Sequence, residues 1–435
     1  MNTHEAAIPL LPKVTCPTCW HEFPPEDVLW VAMHEDLTED RIAASGTDKE
    51  QLRFLPSRFD LKGFARDEKG RECSELACPR CLNFIVQPLM QMKPLFLSIF
   101  GAPGSGKSFY IAALIREMKR TLLARFELRF QNSSARGNRL ITDYEQTLFG
   151  DKGDSQWVKL EKTQGQGDQW YYTARIDDQD MQFPQPYLYA VQPGPKHPHI
   201  GLQKELSRVI CLYDNAGEQF LPGAVTGRAP VIDHLAKSEA LLFVFDPIQE
   251  ADFRRACEGK SDDPQVTRAP FRYPQAEILA KVAEHVRSLT RLKEADLYDK
   301  PLIVIVNKYD AWKGLLNGQP DIFDTIVSAG RTGGVGNSVL DLKKLKTASD
   351  GLEQVLLKLT PQIVNEARSF AKDVIFIPVT ATGMAPRDAG DDDNGHPNLL
   401  FKQGQLESRW VELPALYALH CATAAAEGQA LIPKM

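Results

Sequence analysis

The stretch LFLSIFGAPGSGKSFYIAALIREMK, residues 95–119, decides the fold of this chain. Its first six residues form an apolar run of the length expected for a buried strand. Residues 101–108 then read G-x-x-x-x-G-K-S, and apolar side chains recur at helical spacing over residues 111–118. This order of strand, glycine loop and helix predicts an α/β domain built around a parallel sheet.

The glycine loop is typical of a loop that binds phosphate. Glycines let successive backbone N–H groups surround an anion, and the helix N-terminus adds partial positive charge. Lys107 is expected to reach the β- and γ-phosphates, and the Ser108 hydroxyl to hold Mg²⁺. The alternative, a glycine-rich turn that binds nothing, fits less well because strand, loop and helix are in register. The predicted nucleotide contacts are Gly101, Ala102, Pro103, Gly104, Ser105, Gly106, Lys107, Ser108 and Phe109.

The composition is that of an ordinary globular protein. The chain has 435 residues, of which 43% are hydrophobic and 25% charged, so it is long enough for more than one unit. A net charge of −6 argues against a general nucleic-acid binder, although a local site in the N-terminal segment stays open. The absence of a leader pattern or a long apolar run predicts a cytoplasmic location and no membrane span.

Two C-P-x-C pairs predict a zinc site in the N-terminal segment. Four thiolates in two tight turns can close a tetrahedral Zn²⁺ site, which is structural or a docking surface because no coordination position is open. The alternatives are a reduced cluster without metal, or replacement of one ligand by Cys73 or His21. We therefore expect a small β-rich, zinc-ribbon-like domain at residues 1–93. The predicted ligands are Cys16, Cys19, Cys78 and Cys81.

A second motif, D-N-A-G, follows the apolar run at residues 209–213. An aspartate at the carboxyl end of a strand beside a phosphate loop is placed to coordinate Mg²⁺, which assigns that role to Asp214. Gly217 lacks a side chain that would keep its N–H from a γ-phosphate. Glu218 and Gln219 come next, and together with Lys107 and Gly217 they form the predicted catalytic set.

Two further motifs follow later apolar runs. The run at residues 301–306 ends in N-K-Y-D, and the Asp310 carboxylate can accept two hydrogen bonds from the N1–H and N2–H₂ groups of guanine. Asn307 is expected to brace the neighbouring loops, and the stem of Lys308 to cover the base. After a final strand come Thr380, Ala381 and Thr382, where a backbone N–H could meet the guanine oxygen.

The series GAPGSGKS, DNAG, NKYD and TATG resembles that of the translation-factor and Ras-like (TRAFAC) P-loop GTPases. The resemblance implies a GTPase-like domain at residues 94–435, with a mostly parallel six-stranded sheet and helices on both faces. The motifs are far apart, which implies insertions near residues 121–205, 247–274, 311–349 and 384–405. A zinc ribbon before such a domain is similar to the bacterial double-GTPase family, which implies a role in bacterial defence beside a second GTPase or an effector.

The resemblance favours a GTP-binding, Mg²⁺-dependent switch that hydrolyses GTP to GDP. Many Ras-like members carry glutamine where this chain has Glu218, so hydrolysis could be slow or depend on a protein partner. One alternative is a GTP-binding interaction protein with little turnover, and another is a P-loop ATPase or kinase. The threonine of the first switch is unassigned. No arginine finger is identified, because Arg228, the candidate, is better interpreted as a solvated surface arginine. The available threonines are Thr142, Thr147, Thr163 and Thr173.

Overall fold

The structure is a computed structural model of the chain. It describes residues 9–39, 50–150, 156–160, 171–176, 179–215, 217–220, 233–268, 273–316, 321–329, 338–391, 397–424 and 429–434. Thr163, Arg228 and the side chain of Glu218 lie outside this described part.

The N-terminal segment folds into short antiparallel strands, as its alternation of turn residues and short apolar runs predicts. These strands are β1 Val14–Thr15, β2 Glu22–Phe23, β3 Leu29–Val31, β4 Thr38–Glu39, β5 Glu50–Gln51, β6 Arg53–Phe54, β7 Ala65–Arg66, β8 Glu72–Cys73, β9 Leu76–Ala77 and β10 Phe84–Ile85. Strands β1 and β2 pair, as do β4 and β5, and β7 and β8, while β10, β9, β3 and β6 form one small sheet in that order.

The other described strands, most of them longer, lie in the remainder of the chain. They are β11 Lys93–Phe100, β12 Leu128–Asn132, β13 Trp157–Val158, β14 Tyr171–Ile176, β15 Gln179–Pro184, β16 Tyr187–Pro193, β17 Arg208–Asp214, β18 Ala240–Phe245, β19 Leu302–Val306, β20 Val327–Ala329, β21 Ser338–Leu340, β22 Val374–Pro378, β23 Arg387–Asp391 and β24 Pro397–Lys402.

The helices follow in chain order. They are α1 Lys107–Phe126, α2 Arg139–Phe149, α3 Gln203–Leu206, α4 His234–Lys237, α5 Ala251–Cys257, α6 Pro264–Thr267, α7 Gln275–Thr290, α8 Tyr309–Trp312, α9 Asp321–Asp324, α10 Leu342–Leu359, α11 Pro361–Phe370 and α12 Leu413–Thr423. Short 3₁₀ turns occur at Pro25–Asp27, Gln87–Met90, Ile200–Leu202, Gly217–Phe220, Pro247–Gln249 and Lys313–Leu315.

A central sheet holds the fold together. Within the described residues it has seven strands in the order β12-β16-β17-β11-β18-β19-β22. Strands β17, β11, β18, β19 and β22 are parallel, and β16 runs antiparallel to both of its neighbours. The sheet is thus mixed, with one strand more than the six predicted, because β12 adds to the edge formed by β16.

Two apolar cores lie on opposite sides of β17. Ile210 and Leu212 face the main core, which contains α1, whereas Cys211 and Tyr213 face a second core that contains the four cysteines. This alternation follows from the two-residue period of side chains along a strand. On this part of the sheet the N-terminal segment and the β14–β15 hairpin cover the face. The predicted cover of helices is represented on this part of the sheet by the short helix α4, whose His234 packs on Tyr213, and the N-terminal segment and the hairpin supply the rest.

The segment at residues 247–274, which the sequence predicts as an insertion, is packed into the main core where it is described. Ile248 and Phe253 are fully buried, and Val266 is nearly so. Two of its polar side chains reach the ends of neighbouring strands, since Gln249 bonds Asp246 after β18 and Gln265 bonds Lys308 after β19. Separately, none of the helices in the described ranges combines the length and apolarity that crossing a bilayer requires.

Candidate functional site

The loop between β11 and α1 depends on glycine at specific positions. Gly104 and Gly106 have φ of +72° and +86°, a region that glycine enters without steric cost. A Cβ on Gly106 would lie 2.7 Å from Nδ2 of Asn307, and one on Gly101 would lie 2.3 Å from the carbonyl oxygen of Val244. The loop is therefore in close contact with the ends of β18 and β19.

Lys107 begins α1 and turns its amine back towards the loop. Its Nζ donates to the carbonyl oxygens of Gly101 and Ala102, at 2.8 and 2.9 Å. Ser108 follows in the first helical turn. Ser105 is fully buried, and its Oγ has no hydrogen-bond partner among the described atoms. A cationic amine, a helix N-terminus and successive loop amides together form an environment suited to an anion.

The strand β17 brings Asp214 to the same edge of the sheet. Asp214 pairs in register with Ile99 of β11, so its carboxylate leaves the sheet beside the start of the loop. The next residue, Asn215, fixes this strand end because its backbone N–H and its Nδ2 both donate to the Ile99 carbonyl, at 3.1 and 2.8 Å. Burial, reinforced by the charge of Asp214, raises the pKa of Tyr187 well above its usual value.

Gly217 lies directly against the loop between β11 and α1. A Cβ at this position would be 2.6 Å from the backbone nitrogen of Pro103 and 2.7 Å from the Gly101 carbonyl oxygen. Two residues further, the Gln219 amide donates to the hydroxyl of Tyr171, and Phe220 packs against Phe100 in the main core. The 3₁₀ turn that carries these residues is thus held between the loop and the core.

Asn307 connects the end of β19 with the loop. Its Nδ2 donates to the carbonyl of Ser105 at 2.8 Å, and its backbone N–H donates to Phe245 at 2.9 Å. The indole of Trp312 in turn donates to the Asn307 carbonyl at 2.8 Å. Residues 202 positions apart in the chain therefore meet in one hydrogen bond.

Asp310 lies in the first turn of α8, where Thr380 donates its hydroxyl to Oδ1. Burial raises the pKa of this carboxyl to about 6, while the hydrogen bond from Thr380 opposes that shift. The loop that contains Thr380 is held by two backbone hydrogen bonds between Thr380 and Arg409, at 3.2 and 2.9 Å. Ala381 and Thr382 follow in the same loop, where Ser408 and Glu407 donate to their carbonyls.

Lys308 adopts a left-handed conformation, with φ of +55°. Its Nζ donates to Oδ2 of Asp246 at 2.6 Å and to Oε1 of Gln265 at 2.9 Å. Gln249 joins this group, since its Nε2 donates to Asp246 and to the Pro103 carbonyl. The sequence motifs include none of Asp246, Gln249 and Gln265. Only Asp246 carried a local signal, as an aspartate directly after an apolar strand.

The four predicted cysteines form one cluster. All four Sγ atoms lie within 4.8 Å of one another, and the Cys16–Cys81 and Cys19–Cys78 pairs are each separated by 3.7 Å. A tetrahedral Zn²⁺ with Zn–S bonds of about 2.3 Å requires S···S distances of about 3.8 Å. The donor set and spacing therefore fit a closed metal site. Neither Cys73 nor His21 belongs to the cluster.

The two cysteine turns repeat the same backbone geometry. In each, the N–H two residues after the first cysteine donates to its Sγ, from Thr18 at 3.3 Å and from Arg80 at 3.4 Å. The residues after the second cysteines, Trp20 and Leu82, are both left-handed, with φ of +56° and +64°. Such N–H bonds to sulfur favour the thiolate, which is the form that binds metal.

The pKa values of the four thiols shift in opposite directions within the cluster. Burial raises the pKa of Cys16 and Cys81, whereas hydrogen bonds within the cluster, chiefly with Cys16, lower the pKa of Cys19 and Cys78. A bound cation would offset the mutual repulsion of four buried thiolates.

The cysteine cluster packs on the strand that carries Asp214. The Tyr213 hydroxyl donates to the Pro17 carbonyl at 2.6 Å and accepts from the Trp20 indole at 3.0 Å. The ring of His234, at the start of α4, lies 4.4 Å from the Tyr213 ring. The cluster is thereby in contact with both the strand that precedes the D-N-A-G motif and the helix that follows it.

The candidate threonines for the first switch occupy ordinary secondary structure where they are described. Thr142 donates its hydroxyl to the Asn138 carbonyl within α2, and Thr147 lies on the same helix. Thr173 lies in the β14–β15 hairpin. None of these positions assigns the role.

Comparison with known proteins adds little at the level of sequence. No protein-family model matches the chain, and no curated protein matches it. Among solved structures, Sup35 complexed with GMPPNP is 13% identical over 67% of this chain, with a TM-score of 0.20. The S. cerevisiae Ski7 GTPase-like domain bound to GTP is 15% identical over 80% of this chain, with a TM-score of 0.25.

This chain spans 38% of the Sup35 structure and 54% of the Ski7 structure. TM-scores of this size do not establish a shared architecture. What the site can do therefore follows from its own residues. It combines a loop suited to an anion, after β11, with the Asp310 carboxylate, after β19. Both lie at the carboxyl ends of parallel strands of one sheet, where ligands bind in open α/β sheets.

Proposed function

We propose that this chain binds guanine nucleotides and hydrolyses GTP. The observation that carries the proposal is the hydrogen bond from Asn307 to the Ser105 carbonyl, which joins the anion-binding loop to the turn that bears Asp310. A nucleotide with its phosphates at the loop would extend its base towards that turn. Asp310 then offers two acceptor oxygens to the N1–H and N2–H₂ groups of guanine, an arrangement that adenine cannot satisfy.

In this proposal the chain's own residues hold the phosphates and Mg²⁺. Lys107 and the amides of the loop bind the phosphates, while Ser108 and Asp214 supply oxygen ligands to Mg²⁺, which favours such donors. Mg²⁺ when bound would neutralise phosphate charge. Gly217 borders the loop, and its N–H would bond a γ-phosphate. Loss of the γ-phosphate would then release the 3₁₀ turn that begins at Gly217. The four-cysteine cluster binds Zn²⁺ as a structural site.

The test is nucleotide affinity, measured with fluorescent GTP and ATP analogues in the presence of Mg²⁺. We expect tight GTP binding, weak ATP binding, and loss of the difference in Asp310→Ala. Asp252→Ala is the matched control, because Asp252 is an exposed carboxylate on α5 that pairs with Arg255. Equal affinity for ATP and GTP in the unaltered protein would contradict the guanine assignment, and retained binding in Lys107→Ala would contradict the phosphate assignment.

A second candidate is a GTP-binding interaction protein with little turnover. The observation that favours it is the hydrogen bond between the Gln219 amide and the Tyr171 hydroxyl, which restrains a side chain that would otherwise orient water. Phosphate release in single-turnover experiments separates the two candidates. A slow rate that rises in Tyr171→Phe supports restraint by this bond, whereas rapid turnover in the unaltered protein removes this candidate.

The cellular context stays a prediction from the motif resemblance. A bacterial defence role, with a second GTPase or an effector as the protein partner, is consistent with a nucleotide switch joined to a cysteine module. Affinity capture in the GTP-loaded and GDP-loaded states would test it, because a switch partner binds one state in preference to the other.

A further inference from the structure

The carboxylate of Asp246 is fully buried at the end of β18. A buried carboxylate is costly unless it is paired and hydrogen-bonded. Here Oδ1 accepts from the Ile248 N–H at 3.1 Å, and Oδ2 accepts from Lys308 Nζ at 2.6 Å and from Gln249 Nε2 at 3.2 Å. Asp246 thus has a partner on each of two separate loops.

From Asp246 a chain of hydrogen bonds runs to the phosphate-binding loop. Gln249 is 4% exposed, and its Nε2 also donates to the Pro103 carbonyl at 3.1 Å. In a trans peptide the carbonyl and the next N–H point in opposite directions. Because Gln249 holds the Pro103 carbonyl, it also fixes the direction of the Gly104 N–H, which points away from Gln249.

In the other direction the chain of bonds runs to the base-selecting turn. Lys308 immediately precedes Tyr309 and Asp310, and its left-handed backbone sets where α8 begins. Its amine is held by Asp246 and by Gln265 of α6, and its backbone carbonyl accepts from the Ala311 N–H at 2.9 Å. The backbone of the turn that presents Asp310 is restrained in consequence.

We infer that Asp246 and Gln249 are positioning residues that couple recognition of the phosphates to recognition of the base. The hydrogen-bonded path from Pro103 through Gln249 and Asp246 to Lys308 aligns the Gly104 amide and the Asp310 turn as one unit. Binding at either end then favours binding at the other. This inference rests on the proposed guanine-nucleotide site. It assigns roles to Asp246 and Gln249, which lie outside the four sequence motifs.

The inference is tested by a double-mutant cycle on the full chain with Gln249→Met and Lys308→Met. Methionine matches glutamine in length but cannot donate to Pro103 or Asp246. We expect Gln249→Met to lower GTP affinity about tenfold or more and guanosine affinity less than threefold. The double variant should lose clearly less than the product of the two single losses, because either change breaks the same path.

Gln275→Met is the matched control. Gln275 is also buried and bonds the Asp246 backbone, through Oε1 to the N–H and Nε2 to the carbonyl, both at 2.9 Å. Among the described residues the Gln275 side chain bonds Asp246 and Glu250 and neither nucleotide loop, so Gln275→Met should lower the melting temperature while its effect on GTP affinity stays under threefold. If the two glutamine variants lose GTP affinity equally, or if the cycle is additive, the coupling role is overturned.

The experiment also distinguishes a folding defect, and failure of the proposed function, from failure of the coupling role. If Gln249→Met does not fold, Gln249→Asn replaces it in the double-mutant cycle. Asparagine keeps the amide but is too short to bond both Pro103 and Asp246, and the losses of GTP affinity should again be less than multiplicative. If the unaltered protein does not prefer GTP, the proposed function fails and the coupling role fails with it. If it prefers GTP and the cycle is additive, the coupling role alone is wrong.

Discussion

The Tyr213 hydroxyl donates a 2.6 Å hydrogen bond to the Pro17 carbonyl, which lies between two cysteines of the cluster. Tyr213 is fully buried, and it immediately precedes Asp214 at the edge of the central sheet. One side chain therefore joins the proposed zinc site to the strand that carries the proposed Mg²⁺ ligand.

Tyr213→Phe should destabilise the protein by about 1–3 kcal/mol, because it leaves the buried Pro17 carbonyl and the Trp20 indole without their shared partner. It should also speed the release of zinc to a chelator. Tyr298→Phe is the control, since it removes another buried hydroxyl, bonded to the Ser238 carbonyl at 3.2 Å, far along the chain from the cysteines. Chemical denaturation and chelator kinetics provide the two measurements, and equal zinc release in both variants would refute the link.

Metal removal should unfold the N-terminal segment. Cys78→Ser removes one of the four clustered sulfur atoms, so we expect less than one zinc per chain and a melting temperature several degrees lower. Cys73→Ser is the matched control because Cys73 is buried but lies outside the cluster, and it should retain zinc. Elemental analysis with thermal melting measures both. A protein that lacks metal yet melts like the zinc-loaded form would exclude a structural role.

Gly106→Ala should abolish nucleotide binding and destabilise the fold. The alanine would carry both a left-handed φ and a Cβ 2.7 Å from the Asn307 amide. Gly70→Ala tests the left-handed φ alone, because Gly70 has a similar φ of +81° but open space around it. This substitution should lower the free energy of unfolding by only about 1 kcal/mol. Comparable stability losses in the two variants would mean that contact with Asn307 is unimportant.

The Asp310 carboxyl should make stability depend on pH. Its pKa of about 6 in the folded chain lies above the ordinary value of 3.8, so the folded chain binds this proton more readily than the unfolded one. The stabilisation is fully present below about pH 4 and is lost as the pH rises through 6. Asp310→Asn should therefore stabilise the protein at pH 8 by about 1–3 kcal/mol, measured by urea denaturation. A destabilised Asp310→Asn at that pH would contradict the assigned pKa.

GTP affinity should fall as the pH drops through about 6. The ionised carboxylate accepts two hydrogen bonds from guanine, whereas the protonated form carries a hydrogen on one oxygen. Below the pKa we expect the affinity to fall by up to tenfold per pH unit. Asp310→Asn, whose side chain does not titrate, controls for protonation of the nucleotide itself. The same pH profile in both proteins would show that Asp310 does not contact the base.

Strand positions and the cysteine cluster follow from sequence, whereas the side-chain network of the site does not. Strands buried on both faces read as continuous apolar runs, which is why the runs before Asp214 and Asn307 correspond to β17 and β19. The C-P-x-C spacing likewise sets the geometry of each cysteine turn, because both are local features of the backbone.

Tertiary structure alone decided that β12 extends the sheet and that the cysteine module covers one face beside β17. It also decided that Gln249 bonds Pro103 and that Asp246 bonds Lys308. These contacts join residues tens to hundreds of positions apart. Local periodicity reports which face of an element is apolar, but it carries no information on which distant segment meets that face. In a polar segment such as residues 247–274, exposure and burial in a satisfied network look alike until the partners are in place.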